Sequence, residues 1–505
     1  MDISDEQLAI CLDVLQQLAQ HPKDIEKDDR LTPIKSLISK LYRANRKAER
    51  KRKKQRDRLR KESTTLVHQQ QKLVLCQEIN EGNIPQGCSP QNKADAVLVQ
   101  GAQQENGHGS PEHKQRSPQF HISTRCYICK QPYRQIHHFY HLLCPTCAEL
   151  NYQKRQAHTD LRGRTALVTG GRIKIGYQTA LRMLQDGAHV IVTTRFPRDC
   201  ARRYSQEADF DQWRDRLQIY GLDLRNIIAL EDFIAHLLHT ESALDILINN
   251  AAQTIKRPQS FYQHLLDQEE VPLRELPQVV QSLICWSEGA GEQGSGGGAG
   301  ERGSGGARGR RGGGAEELES KGVGEAQIQN LKSKIQNSID FRPLNSWLLK
   351  LEEVSTVELL EVQVVNAIAP FILNSKLKPL LMASPFERRF IINVSAMEGQ
   401  FNRNSKTAAH PHTNMAKAAL NMMTRTSAQD YADDNIFMNS VDTGWVTNEN
   451  PHPKVIRLQT EDGFYPPLDS IDGMARIYDP IVQGLQMSDL PLFGYFLKDY
   501  MPYPW

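Results

Sequence analysis

Four cysteines, Cys126, Cys129, Cys144 and Cys147, form two Cys-x-x-Cys pairs separated by 14 residues. Each pair turns tightly enough to put two sulfurs on one ion, and two pairs together complete a tetrahedral Zn²⁺ shell. A closed four-sulfur shell leaves no position for water, so the expected zinc is structural. A segment this small has too little core of its own and would draw its folding free energy from the metal. His137, His138 and His141 lie between the pairs as spare nitrogen ligands. Redox-active dithiols are the competing chemistry, but a single pair would suffice for that and neither stands in a thioredoxin-like pattern.

A second set of candidates begins at Thr169-Gly170-Gly171-Arg172-Ile173-Lys174-Ile175-Gly176, between the apolar run Thr165 to Val168 and a helix-like run from Tyr177. A strand, a glycine turn and a helix in that order point backbone N–H groups at a phosphate. Gly170 suits the tight turn and Gly176 the close approach of the helix, whereas Lys174 stands where a middle glycine is expected. With Arg172 nearby, Lys174 adds positive charge toward phosphates. The next apolar run, Val190 to Thr194, ends in Arg195, with Arg198 close behind. An acid at that position reads a ribose hydroxyl, whereas arginine suits a ribose phosphate, so NADP(H) is expected over NAD(H).

Further polar residues fall at the ends of later apolar runs: Asp223 in Tyr220 to Leu224, Asn250 and Ala251 after Asp245 to Ile248, Ser395 after Phe390 to Val394, and Thr447 after Ile436 to Val441. Ligands of open parallel sheets bind at the carboxyl ends of strands, which is where these residues stand.

Such placement requires strands and helices that alternate. From residue 161 onward they do, which predicts an α/β fold with a Rossmann-type doubly wound parallel sheet over 161–505. Residues 287–325 break the alternation with a glycine-dominated, low-complexity insertion. Upstream, 121–157 is the zinc-ribbon module and 63–120 reads as a disordered linker, rich in Gln, Asn, Gly, Ser and Pro. Residues 1–62 read as a helical N-terminal region, with apolar spacing over 5–18 and a second helix from Pro33 to Leu41.

The formal charge of +3 hides an asymmetry. Residues 40–61 hold 13 Lys or Arg against 2 acids, which contributes +11 and leaves the remainder at −8. The run is expected to be a solvated helix end; nuclear import through 46–61 or nucleic-acid binding are the sharper alternatives, and the absence of interleaved aromatics weighs against the latter. No apolar stretch approaches the ~20 residues of a spanning helix, and the N-terminus lacks a secretory profile, so a cytoplasmic protein is expected.

Taken in order, these residues resemble the short-chain dehydrogenase/reductase superfamily over roughly 161–485. "TGGRIKIG" is similar to its Thr-Gly-x-x-x-Gly-x-Gly loop apart from Lys174, and "NNAA" to its Asn-Asn-Ala-Gly. Asn366 in "VQVVNAIAPF" corresponds to its helix asparagine, Ser395 to its catalytic serine and Lys417 to its catalytic lysine, while "DTGWVT" carries Thr443 for its proline. With the cysteine module, the chain resembles a divergent zinc-ribbon subgroup.

The resemblance implies general acid/base catalysis beside hydride transfer: a tyrosine four residues before the lysine exchanges the substrate proton, the lysine lowers its pKa and binds ribose, the serine polarises the carbonyl, and the asparagine supports a proton-relay water. Here the tyrosine position is Thr413, in "HPHTNMAK". An aliphatic hydroxyl is much too weak an acid for that task. His410, seven residues before Lys417 and so on the same helix face, and His412 are the substitutes, since imidazole titrates in a suitable range. Two functions follow: an NADP(H)-dependent oxidoreductase acting on a small carbonyl or alcohol, or an NADP(H)-binding scaffold that has lost turnover. A homo-oligomer is compatible with either.

Overall fold

The computed structural model describes residues 4–20, 119–287, 342–402, 406–462 and 464–505. The second N-terminal helix, the basic run, nearly all of the linker and of the glycine-rich insertion lie outside the described residues. The chain divides into two compact units, Met1–Pro145 and Thr146–Trp505.

In the first unit, helix α1 spans Asp5–Gln20. Its start is fixed reciprocally: Ser4 Oγ accepts the Gln7 N–H and Gln7 Oε1 accepts the Ser4 N–H. Strands β1 (Gln119–Arg125) and β2 (Pro132–Gln135) form an antiparallel hairpin. The hairpin loop carries the first cysteine pair, and Lys130 closes it in a left-handed conformation (φ 61) with its N–H on the Cys126 carbonyl at 3.2 Å. The cut between the units falls inside helix α2 (Pro145–Arg155), which carries Cys147.

The second unit is built on a parallel sheet. Its strands are β3 (Thr165–Thr169), β4 (His189–Thr194), β5 (Leu217–Gly221), β6 (Ile246–Asn249), β7 (Ile284–Ser287), β8 (Arg389–Ser395), β9 (Ile436–Asp442), β10 (Phe496–Lys498) and β11 (Met501–Tyr503). Their spatial order is β11-β10-β9-β8-β6-β3-β4-β5-β7, and only β10–β11 pairs antiparallel. The longer helices are α3 (Lys174–Gln185), α4 (Pro197–Tyr204), α5 (Ile227–Thr240), α6 (Gln259–Glu269), α7 (Thr356–Lys376), α8 (Pro411–Asp433), α9 (His452–Asp462) and α10 (Ser470–Gln486).

The near-continuous apolar strands are explained by burial on both faces. Val168, Val192, Ile248 and Ile392 face one helix layer with Met183 and Ile477, while Leu167, Ile191, Leu247 and Ile391 face the other with Phe233 and Leu373. From β3 the chain winds first to β4 and β5, then returns to β6 on the other flank of β3. That reversal opens a crevice at the carboxyl ends of β3 and β6, the ligand position of doubly wound folds.

Three elements depart from the sequence expectation. β5 ends at Gly221, so Leu222 to Leu224 lie past the strand; Leu222 and Leu224 are buried in one cluster with α5 residues, which a run of apolar letters cannot distinguish from a strand. The region after β6 contributes β7, a further parallel strand beside β5. Third, α7 is long and apolar enough, by length and composition, to cross a membrane, although no such stretch was expected; 39% of the relevant window is buried within the protein. The aromatic C-terminus forms the β10–β11 hairpin along the sheet edge, with Trp505 Nε1 donating to the Gly494 carbonyl at 3.2 Å.

Candidate active site at the carboxyl ends of the strands

The turn from β3 into α3 is held in place by the segment that follows β6. Thr169 Oγ1 accepts the N–H groups of Asn250 and Ala251, each at 3.0 Å, and Asn250 Nδ2 donates back to the carbonyls of Thr169 (3.0 Å) and Gly170 (3.2 Å). Gly170 is left-handed (φ 70), and a Cβ there would lie 2.9 Å from Ala251 Cα. At Gly176 a Cβ would sit 2.3 Å from Asn250 Nδ2 and 2.4 Å from the Gly170 carbonyl oxygen. The two glycines therefore let the α3 N-terminus close onto the β6 loop. Lys174 keeps the left-handed geometry (φ 56) of the glycine it replaces, and its side chain is exposed. A residue with a Cβ costs on the order of 1 kcal/mol in that region. At the N-cap, Ile173 makes no side-chain capping bond to the first-turn N–H groups, while Ile175 packs against the core.

Around this loop the arginines differ in availability. Arg172 is held by Asp199 at 2.5 Å, and Asp199 also accepts from Arg203 Nε at 2.7 Å. Arg195, at the end of β4, lies over the rings of Phe196 (5.4 Å) and Tyr262 (4.8 Å). Arg198 Nη1 is buried without a hydrogen-bond partner among the described residues. Burial pushes the Asp223 carboxyl up, but two-pronged hydrogen bonding from Arg225 outweighs it and holds the group below its usual range. Tyr262 is carried on α6, after the β6 loop.

On the other side of the crevice, Asn366 sits in a π-turn, Val364–Ile368, within α7. Its Oδ1 accepts the Gln253 N–H (2.7 Å) and its Nδ2 donates to the Gln253 carbonyl (2.9 Å), so both amide groups pin the β6 loop. Ser395 ends β8 and donates from Oγ to Asn421 Oδ1 at 2.6 Å. Lys417, one helical turn before Asn421 on α8, donates to the Val394 carbonyl at 2.7 Å. Its burial pulls the ammonium pKa down to about 8, with only the Glu398 charge opposing. Ser395 and Lys417 thus meet at one strand end.

Thr413 is in the first turn of α8, 4% exposed, and its Oγ1 has no hydrogen-bond partner among the described residues. His412 is 1% exposed, both ring nitrogens lack such a partner, and burial lowers its pKa. His410 is not where helical spacing puts it. Pro411 opens α8, so His410 stays outside as a left-handed residue (φ 46), its ring stacked 4.0 Å from Trp347 and Nδ1 2.8 Å from the Trp347 carbonyl. The expected common face with Lys417 does not form. Thr447 turns its hydroxyl to Glu449 Oε1 at 2.6 Å.

Two site residues escaped the sequence reading. Asn421 was visible only as a polar letter one turn after Lys417. Asp442 was quoted as the first letter of "DTGWVT" and given no role. It pairs in register with Ser395 on the neighbouring strand, and burial pushes its carboxyl up to about 6, with Lys498 at 4.0 Å lowering it and Glu398 and Asp499 raising it.

In the cysteine module, the sulfurs of Cys126, Cys129, Cys144 and Cys147 all lie within 4.8 Å of one another, and Cys129 and Cys144 are 3.6 Å apart. His137 is not in that cluster; its Nδ1 accepts the N–H groups of Phe139 (3.1 Å) and Tyr140 (3.3 Å).

A doubly wound sheet with a glycine turn, an asparagine-pinned loop and a serine–lysine strand end defines a Rossmann-type α/β protein. The short chain dehydrogenase family profile matches residues 164–271. An uncharacterized protein (R665) of Acanthamoeba polyphaga mimivirus is 31% identical over 369 residues, covering 70% of this chain and 71% of that protein. Dehydrogenase/reductase SDR family member 13 of Bos taurus is 37% identical over 95 residues, 18% of this chain and 24% of that one. Among solved structures, a short chain dehydrogenase from Burkholderia cenocepacia in complex with NADP has 18% identity and a TM-score of 0.40, over 67% of this chain and 97% of that one. The chain belongs to the short-chain dehydrogenase/reductase superfamily.

Proposed function

We infer that the protein is an NADP(H)-dependent oxidoreductase acting on a carbonyl or alcohol substrate, with the position of the usual tyrosine taken by Thr413. Lys417 carries this reading. A fully buried ammonium beside Ser395 weakens the fold, and such a group is retained where chemistry needs it. Arg195 above Tyr262 and the unpartnered Arg198 Nη1 favour a ribose phosphate and hence NADP(H). Bound NADP(H) supplies the hydride acceptor or donor.

The chain's own residues do the rest. Ser395 rotates its hydroxyl from Asn421 to the carbonyl oxygen, where it stabilises developing negative charge. Lys417 holds positive charge at the same strand end. His412, kept neutral by burial, suits alcohol oxidation, in which an imidazole nitrogen takes the hydroxyl proton while hydride leaves the carbon. His410 serves as a strut, and Thr413 contributes a hydroxyl rather than an acid.

In full-length protein, Lys417→Met and His412→Phe should each lower kcat for NADP(H)-linked turnover of a ketone and alcohol panel by about 100-fold or more. Unchanged turnover in both would sink the assignment. The second reading, an NADP(H)-binding scaffold, is favoured by the Ser395 proton already given to Asn421. It predicts NADPH binding without hydride transfer to any member of the panel.

The cysteine cluster is assigned a structural Zn²⁺. Its sulfur spacing fits a tetrahedral site, whose edges are about 3.8 Å for Zn–S bonds of about 2.3 Å. One zinc per chain by elemental analysis, lost in the Cys144→Ser variant, is the expected result.

A further inference from the structure

The segment 342–350, which resumes the described chain after the glycine-rich insertion, ties three strand-end loops together. Arg342 Nη2 donates to the Lys256 carbonyl after β6 at 2.9 Å. Asn345 Nδ2 donates to the Glu449 carbonyl after β9 at 3.1 Å. The His410 N–H, before α8, donates to the Leu349 carbonyl at 2.8 Å, and the His410 and Trp347 rings stack with planes 3° apart. Asn345 and Ser346 are each 3% exposed, so this strap is part of the interior and not a loose loop.

Polar atoms without partners occur on both segments that the Trp347–His410 stack joins, the strap and the start of α8. Ser346 Oγ, Thr413 Oγ1 and both nitrogens of His412 have no hydrogen-bond partner among the described residues, although these side chains are 96–99% buried (3%, 4% and 1% exposed). Each such atom costs a desolvation penalty that a folded chain normally removes by pairing. Ser346 adjoins the Trp347 that stacks on His410, and His412 and Thr413 follow His410 directly. The Ser346 and Thr413 hydroxyls and the His412 imidazole thus stand on the two segments that the Trp347–His410 stack joins, and no described residue satisfies them.

We propose that the strap 342–350 is the specificity wall of the substrate site. Ser346 and Thr413 there hydrogen-bond a neutral, hydroxyl- or amide-bearing part of the substrate away from its reacting carbonyl, which His412 beside them serves. Neutral chemistry is favoured because burial keeps His412 uncharged and the Glu358 carboxylate, whose charge reaches His412, repels an anionic substituent. The inference rests on the oxidoreductase reading for the reacting end of the substrate, and not for the unpaired atoms themselves.

Two measurements on the full chain separate the readings. In ligand-free protein, Ser346→Ala and Thr413→Val should each raise Tm by about 2–4 °C, because each deletes a buried polar atom that nothing in the protein satisfies. An unchanged or lowered Tm in both would overturn the proposal by showing that these hydroxyls are paired within the fold. With NADPH present, kcat/KM is then compared for cyclohexanone, its ring-hydroxylated derivative and its ring-carboxylated derivative. The wild type should prefer the hydroxylated ketone and disfavour the carboxylate, and Ser346→Ala should shrink the hydroxylated-to-plain ratio by about tenfold. Preference for the carboxylate, or a ratio that Ser346→Ala does not change, would overturn it. If NADPH fails to bind, the oxidoreductase reading falls, while the melting comparison still decides the role of the unpaired atoms.

Discussion

At the scale of single residues, two buried titratable groups set the pH behaviour of the strand ends. Lys417 has its pKa lowered from 10.5 to about 8 by burial. Between those values the unfolded chain binds more protons than the fold, so this group makes stability rise with pH from about 8 to 10.5. Turnover that needs the ammonium should decline over the range where stability gains. Asp442 has the opposite sign. Its value is raised from 3.8 to about 6, so the fold binds the extra proton and stability falls as pH climbs through that window. Urea melts of Asp442→Asn from pH 4 to 7 should lack that fall; a slope identical to wild type would place the titration elsewhere. Lys174 gives a third test. Lys174→Gly relieves a left-handed backbone at some cost in chain entropy, for a net gain of about 0.5–1 kcal/mol in thermal or denaturant melts, while NADPH affinity drops as a phosphate-facing charge is lost. A loss of stability would show that the lysine side chain does structural work there.

At the scale of elements, the strand–turn–helix of β3 and α3 depends on contact with the loop after β6. Gly176→Ala drives a methyl into Asn250 Nδ2 and the Gly170 carbonyl, both closer than 3 Å, and α3 must shift to admit it. The expected outcome is loss of NADPH binding together with destabilisation of about 2–4 kcal/mol; a variant that melts and binds like wild type would contradict the packing described here. The same comparison shows what the sequence could reveal. β3, β4, β6, β8 and β9 were legible because buried parallel strands are short apolar runs that end in polar residues, and Ser395 stands at the end of such a run. What escaped has a long-range cause. β7 is a strand only because β5 offers it an edge. The strap at 342–350 is defined by bonds to residues roughly 60 to 100 positions away in the chain. Pro411 marks the start of α8 in the sequence, but the left-handed turn at His410 that sends its ring to Trp347 depends on the distant strap.

At the scale of the whole molecule, a four-cysteine module and a doubly wound sheet domain occur in one chain, and the zinc proposed for the first gives their stabilities different origins. The sheet domain buries apolar strands between two helix layers and should stay folded when metal is removed. The module around the β1–β2 hairpin relies on its four sulfurs, so chelation of zinc should abolish a separate low-temperature melting step while leaving the main transition in place. A single transition that collapses as a whole on chelation would contradict that division. The central claim, that the crevice at the ends of β3 and β6 binds NADP(H), is tested most directly by fluorescence titration of the full-length protein with NADPH and with NADH. The account predicts saturable binding of both with NADPH the tighter, and a preference that disappears in Arg195→Ala. Absence of binding by either nucleotide, or a preference for NADH in the wild type, would contradict it.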